Sequence, residues 1–247
     1  MLDSEYETMY QLEDRHWWFV SKRNFVKTVL DQFLKGQGSN VLDVGSGTGG
    51  MLKLLSSYGR VFGIELHRQA CELSRRRDNP FIIQGNAHQL PFKKESFDLI
   101  TLFDVLYHQH VLDDETIIRQ LHDLLVPGGL LMITDSAFEF LKSRHDLAVM
   151  ARHRYTLGEL RDKLTRCHFT VLKRTYLFCS IFPAVVIARW LGKILLAFST
   201  PKIHSDLKLT PPALNRLLVK IHTWEGKRLR VWNFPFGSSL LILGRKD

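Results

Sequence analysis

The sequence predicts an α/β fold: one seven-stranded, mostly parallel sheet flanked by helices, with an antiparallel last strand. Three observations predict it. Short apolar runs alternate with helical stretches over residues 40–134, and the first run closes on a glycine-rich turn in VLDVGSGTGG, Val41 to Gly50. Two late apolar runs, separated by a long insertion, complete the strand count. Strands that alternate with helices join through right-handed crossovers into a parallel sheet.

Residues 1–35 read as helical, because Phe25, Val26, Val29, Leu30, Phe33 and Leu34 share one face of a 3.6-residue period. Gly36 and Gly38 end that helix. Residues 40–44 form the first strand, 51–58 a helix, 61–66 the second strand and 67–77 a helix closed by Asn79-Pro80. Residues 81–84 and 97–103 are the third and fourth strands. A helix over 113–125 is stopped by Pro127-Gly128-Gly129, and the fifth strand is 130–134. Residues 136–150 mix helix and loop. Thr156 with Glu159 three residues on is a capping-box pattern that starts a helix over 156–166. Residues 169–176 and 238–244 are the last two strands, and the insertion between them holds helices near 183–198 and 212–230. The chain divides into an N-terminal helical cap (1–39), a core (40–176), a helical insertion or lid (177–236) and a final core strand (237–247).

A chain of 247 residues with 45% hydrophobic content can bury a large core. The first residues have neither a basic n-region nor an apolar h-region, so no signal peptide is expected. Cys71, Cys167 and Cys179 lack metal-like spacing, which fits reduced thiols in a cytoplasmic protein and no metal. The net charge is +9, but the basic residues read as spread, the densest run being Arg75-Arg76-Arg77, and no aromatic-and-basic recognition module is visible. Nucleic acid is therefore not expected as a partner. The apolar insertion helix is interrupted by Arg189 and Lys193, which argues against a membrane span. With Lys202, Lys208, Arg216 and Lys220 beyond it, peripheral membrane contact is an open expectation. A lid over an apolar acceptor and a core helix are the other readings.

The glycine turn contains G-x-G-x-x-G at Gly45, Gly47 and Gly50, and Glu65 lies 20 residues past Gly45. That is the pattern of a dinucleotide site. It is also compatible with S-adenosylmethionine (SAM), whose nucleoside needs the same close backbone approach. Asp43 favours the methyl donor, since dinucleotide folds usually keep this position apolar. So does the segment FIIQGNAHQLPFKKESFDLI, which is more specific than the glycines. The carboxylate of Glu65 ends the second strand and can take two ribose hydroxyls in a fork.

Taken with L-V-P-G-G-L-L, these motifs resemble the class I SAM-dependent methyltransferases, in the branch with a methyltransferase type 11 core, over about Val41 to Thr134. HWWFVSKR and LKSRHDLAVMARHRYTLGEL are similar to flanking signatures of a bacterial subgroup. The resemblance implies a Rossmann-like fold with SAM as cofactor and methyl transfer to oxygen, nitrogen or carbon of a small-molecule acceptor. It implies donor contacts from Asp43, the turn Gly45, Ser46, Gly47 and Gly49, then Glu65 and Leu66, with Asn86 and Ala87 beside adenine. Asp104 lies past the fourth strand at the carboxyl edge; His108, four residues on, would share its face on a helical turn. Trp18 or its neighbour Trp17 would cover the site, and Arg23 would reach the methionine carboxylate. His108, His145 and Asp146 are the candidate bases; Arg154 and Tyr155 could bind an acidic or hydroxylated acceptor. Three positions depart from the pattern: Asn86 for Asp, Ala151 for His and His153 for Arg. They keep open a non-catalytic SAM-binding protein. A nicotinamide-dependent oxidoreductase using the same glycines is the other alternative.

Overall fold

A computed structural model of the chain describes residues 3–34, 38–79, 81–196 and 209–247, with 3, 4, 144 and 193–196 described by backbone alone. Lys202 and Lys208 lie outside the described residues, and so does Gly36. The described chain runs α1 (Asp3–Leu12), α2 (Trp17–Phe33), β1 (Ser39–Val44), α3 (Leu52–Leu55), β2 (Gly59–Glu65), α4 (Arg68–Arg75), β3 (Ile82–Gln84) and β4 (Phe97–Phe103). It continues with α5 (Asp114–Leu124), β5 (Leu125–Ser136), α6 (Arg144–Ala148), α7 (Leu157–Arg166), β6 (Phe169–Leu177), α8 (Phe182–Leu196), α9 (Pro212–Arg228) and β7 (Ser239–Lys246).

The strands form one seven-stranded sheet in the order β3-β2-β1-β4-β5-β7-β6. β1 pairs parallel with β2 and β4, while β7 is antiparallel to both β5 and β6. The chain leaves β1 toward β2 and β3, then returns to the other side for β4. That reversal opens a crevice at the carboxyl ends of β1 and β4, where open α/β sheets bind ligands.

Both faces of the sheet are covered, which is why its strands read as continuous apolar runs rather than alternating ones. Successive residues point to opposite faces. Leu42, Ile100 and Ile242 pack with Ile117, Leu121 and Leu160 of α5 and α7. Val41, Leu99, Leu241 and Leu243 pack on the other face with Phe25, Val29 and Leu30 of α2 and with Leu229. The apolar stripe expected on the first helical region is therefore the α2 core contact.

The structure corrects several boundaries. The single N-terminal helix is two, because the chain breaks over 13–16 and restarts where the His16 ring accepts the Trp18 N–H at 3.3 Å. Pro127-Gly128-Gly129 does not separate α5 from a strand but lies within β5. The pairing with β4 jumps from Phe97↔Leu125 to Leu99↔Leu130, and Gly128 takes φ +79°, so the three residues form a bulge. Thr156 caps α7 as expected, accepting Glu159 N at 3.2 Å, but the Glu159 carboxylate turns to His153 instead of closing the box.

Candidate active site

The glycine turn leaves β1 at Val44. Gly45 sits at φ +75°, and a Cβ there would lie 2.4 Å from Cγ2 of Val105. Both its conformation and its closeness to the loop after β4 demand glycine. Gly50 answers to space alone: a Cβ would lie 2.5 Å from the Glu13 carboxylate. The third glycine of G-x-G-x-x-G thus admits an acid from the N-terminal segment.

A cavity of about 760 Å³ opens on this turn. On one side it is lined by Asp43, Gly45, Ser46, Gly47, Glu65 and Leu66, with Asn86 and Ala87 from the loop after β3. Gly49 does not line it; a Cβ there would strike Ser74, so this glycine lets the turn pack on α4. Glu65 accepts Gly47 N at 2.9 Å with one oxygen and His67 N at 2.8 Å with the other. Each carboxylate oxygen keeps a second lone pair, so the acid is pinned in place and can still accept hydroxyls. Ser46 Oγ is buried with no hydrogen-bond partner among the described residues. Leu66 is 47% exposed on the cavity wall and offers an apolar plate. The Asn86 side-chain oxygen accepts His88 N at 3.0 Å, which orders the loop locally. A buried orphan hydroxyl, a pinned carboxylate, an exposed apolar plate and a turn without side chains fit a nucleoside ligand.

Asp43 is buried and accepts Thr101 Oγ1 at 2.6 Å. Burial pushes its carboxyl up to about 7, despite the Thr101 hydrogen bond and the nearby Lys22 charge. Asp104 follows β4 with φ +57° and pairs with Lys22 Nζ. Lys22 is nearly buried, lies against the Trp18 and Phe103 rings, and was missed in the sequence. A signal existed: Trp18 and Lys22 are four apart on α2, hence on one face.

Both tryptophans line the cavity, where Trp18 stacks on Phe178 and Trp17 meets the same ring edge-on. Phe178, just past β6, reaches α2 between them. Arg23 lines the cavity, but its Nη2 donates to the Glu13 carbonyl at 2.7 Å, so it braces the segment between α1 and α2. The Glu13 carboxylate accepts Thr48 Oγ1 at 2.6 Å and faces Arg77, and it too lines the cavity.

The other side of the cavity is built by the loops after β4 and β5 and by the start of the insertion. Tyr107, His108, Leu141, His145, Val149 and Arg154 line it, with Ile181, Val185 and Arg189 from the α8 region. The helical turn expected to align Asp104 with His108 is absent; the stretch is a set of turns in which His108 bridges Ala151. Burial, helped by His110, lowers the His108 imidazole to about 4. Burial also raises the Tyr107 phenol well above its ordinary value. Both are neutral near pH 7. His16, His67, His88 and His110 line the cavity as well, so His108 and His145 are not alone at the carboxyl edge.

Asp146 does not line the cavity. Its carboxylate takes Arg154 Nε at 2.6 Å and Nη2 at 3.1 Å and also caps α6 through Ser143 N at 2.8 Å. Burial acts against its charge, yet the Arg154 hydrogen bonds and charge outweigh burial and hold it below the usual carboxylate range. The geometry fits a partner that fixes Arg154, not a base. Tyr155 is likewise internal: its hydroxyl donates to Asp114 at 2.7 Å, so it does not meet an acceptor. Of the departures, Ala151 bonds Asp146 O through its N–H and His153 pairs with Glu159, and neither lines the cavity. Among the described residues no group of His, Cys, Asp or Glu could hold a metal, and no helix is long and apolar enough to cross a membrane.

Residues 42–133 match the family model of a methyltransferase domain. The chain is 30% identical over 121 residues to a ubiquinone/menaquinone biosynthesis C-methyltransferase of Wigglesworthia glossinidia brevipalpis, a match covering 43% of this chain and 48% of that protein. It is 37% identical over 117 residues to a human protein described as a probable tRNA methyltransferase 9B, covering 46% and 25%. The chain thus spans about half the length of the first relative and a quarter of the second. Among solved structures it is similar to the methyltransferase in the Haloferax volcanii complex with the Trm112 methyltransferase activator, with TM-score 0.62, 19% identity and coverage of 98% and 94%. That likeness shows the fold. Residues 42–133 of this chain are thus similar to the methyltransferase domain family, and the chain shares the fold of the solved methyltransferase.

Proposed function

We propose that the chain transfers a methyl group from SAM to a small-molecule acceptor with a sizeable apolar part. The observation that carries this is the continuity of one cavity. It joins the glycine turn, Glu65 and Leu66 to a wall of Leu141, Val149, Ile181 and Val185. SAM when bound supplies an electrophilic methyl on a sulfonium. The chain's residues do the rest by alignment, which can be worth on the order of 7–11 kcal/mol.

In this reading Glu65 accepts the ribose hydroxyls, Leu66 and Ala87 hold adenine, Ser46 Oγ gains its missing partner, and Asp43 and Asp104 face the methionine part. Trp18 and Lys22 close the donor side. His108 and His145 face the acceptor. His108 is neutral and its Nδ1 accepts His110 N at 3.3 Å, so its proton sits on Nε2 and it orients an acceptor oxygen or nitrogen by donating to it. Asp146 holds Arg154 at the wall. The insertion serves as a roof through α8, whereas α9 packs on α2 and belongs to the scaffold.

Calorimetric titration with SAM and with NAD tests the cofactor, and methyl turnover on a panel of apolar alcohols, phenols, amines and quinols tests the reaction. Binding of NAD in preference to SAM would sink the reading. SAM binding with no acceptor lost or mass-shifted in metabolite profiles of a deletion strain would favour the non-catalytic alternative.

A further inference from the structure

The basic residues are spread along the chain, but the acids are not, so the net positive charge concentrates in one segment. Residues 177–236, a quarter of the chain, hold nine Lys and Arg against two acids, Asp206 and Glu225. They carry seven of the nine net positive charges. Glu225 is fully buried, where its carboxylate accepts Cys179 N at 2.8 Å and Ser180 N at 3.2 Å. It presents no negative charge to the surface.

The same segment exposes apolar side chains. α8 turns Val185 and Arg189 to the cavity, and on its outer side Ala184, Ile187, Ala188 and Leu191 fall at helical spacing as one exposed stripe. Ile187 is 58% exposed, Leu191 48% and the adjoining Trp190 65%. At the start of the helix Phe182 contacts Phe140 and Phe236, both exposed, which extends the patch. α9 and the residues after it expose Leu217, Trp224 and Trp232 among Arg216, Lys220 and Arg228. Clustered exposed apolar side chains of this kind mark an interaction site. The 15 described residues of α8 are too few to span a bilayer. Exposed tryptophans, an apolar stripe and a large excess of basic residues over acids are instead the chemistry of a helix lying in an anionic interface.

We propose that the outer face of α8, with Phe140 and Phe236, docks on an anionic lipid bilayer, the basic residues of the insertion supplying the attraction. The helix that rests on the lipid is the helix that walls the cavity. A bilayer contact therefore places the cavity beside a reservoir of apolar molecules. Docking is independent of methyl transfer and can be tested without cofactor.

The test is flotation of the full chain with vesicles of phosphatidylcholine alone or phosphatidylcholine with phosphatidylglycerol at 7:3, in low and high salt. At least tenfold more protein should float with the anionic vesicles at low salt, and high salt should abolish the excess. Each Lys or Arg near an anionic surface contributes roughly fivefold, so the double variant Arg216→Glu, Lys220→Glu should lose more than tenfold. The double variant Ile187→Asp, Leu191→Asp, at exposed positions, should lose binding to a similar degree while keeping its melting temperature and SAM affinity. No flotation at low salt, or binding indifferent to both variants, overturns the proposal. So does sedimentation showing a dimer that Ile187→Asp, Leu191→Asp dissociates without any vesicle contact, which would make the face a protein interface.

Discussion

Asp43 sits at the end of β1 with its carboxyl buried against Thr101, and its pKa is pushed up from 3.8 to about 7. The folded protein therefore holds a proton on Asp43 that the unfolded chain has released between about pH 4 and 7. Stability from this group is present below that window and is lost as pH rises through it. The shift corresponds to roughly 4 kcal/mol. Relaxation and water entry around a buried charge reduce such penalties, and about half of that range, ~2 kcal/mol, is the expected effect. For a chain of this size each kcal/mol moves the melting temperature by about 2–4 °C, so the difference is about 4–8 °C. The perturbation is Asp43→Asn, which keeps an oxygen for Thr101 Oγ1 and cannot ionise. Asp135 and Glu13 are also raised by burial, so both proteins should lose stability toward alkaline pH. The difference between the two isolates Asp43. Melting of the ligand-free proteins from pH 5 to 8.5 should give converging values at low pH and a more stable variant above pH 7. Parallel curves would refute the burial argument. SAM carries positive charge, so its binding should favour ionised Asp43: wild-type affinity should rise with pH through about 7, and the variant should bind weakly without that dependence.

Other perturbations separate the roles assigned to the site. Glu65→Gln should weaken SAM binding more than tenfold in calorimetry, since hydrogen bonds to a charged group are worth about 1.5–3 kcal/mol; unchanged affinity would remove Glu65 from the ribose. Gly45→Ala forces a left-handed residue, costing about 1–2 kcal/mol, and pushes Val105 aside, so both melting temperature and SAM affinity should fall. Asp146→Ala strands buried Arg154 and should cost about 3–5 kcal/mol in urea unfolding, with SAM affinity intact in the folded fraction. His108→Gln should lower turnover on the true acceptor while leaving SAM affinity within twofold, and should move no titration near pH 6.5 because His108 is neutral above about 4.

Most of the sheet was legible in the sequence because its signal is local. A run such as Phe97 to Phe103, buried on both faces, is apolar throughout, and the turn after β1 needs glycine for reasons contained in the turn. What was illegible depends on partners distant in sequence. Lys22 meets Asp104 across 82 positions and Glu13 meets Thr48 across 35. Asp146 reads like a base beside His145, but a guanidinium eight residues on decides its role. His108 reads like a base of ordinary strength, and only its burial shows otherwise. The charge of the insertion was in plain sight as a count; its meaning appeared once Glu225 proved internal and the α8 stripe proved exposed.

The electrostatics of the cavity bear on the choice that the glycine motif leaves open. A pyrophosphate at the turn would bring two negative charges to backbone N–H groups, as in dinucleotide folds. Here the turn is surrounded by Asp43, Glu65 and Glu13, with Asp104 beyond, all lining the same cavity. Gly47 N, a donor a phosphate would seek, is already held by Glu65 at 2.9 Å. Two like charges about 4 Å apart near a protein surface repel by roughly 4 kcal/mol; Lys22 pairs with Asp104 and Arg77 with Glu13, which leaves Glu65 as an acid without an ion pair at the turn among the described residues. A donor carrying a sulfonium and an ammonium meets the opposite field. The acids that would expel a pyrophosphate are those that would hold a cationic methionine moiety, with Asp43 ionising as the cation arrives. Reversing that field with Asp43→Asn and Glu13→Gln should cost SAM affinity and leave NAD no better bound; a gain in NAD binding without loss of SAM would show that shape alone selects the ligand.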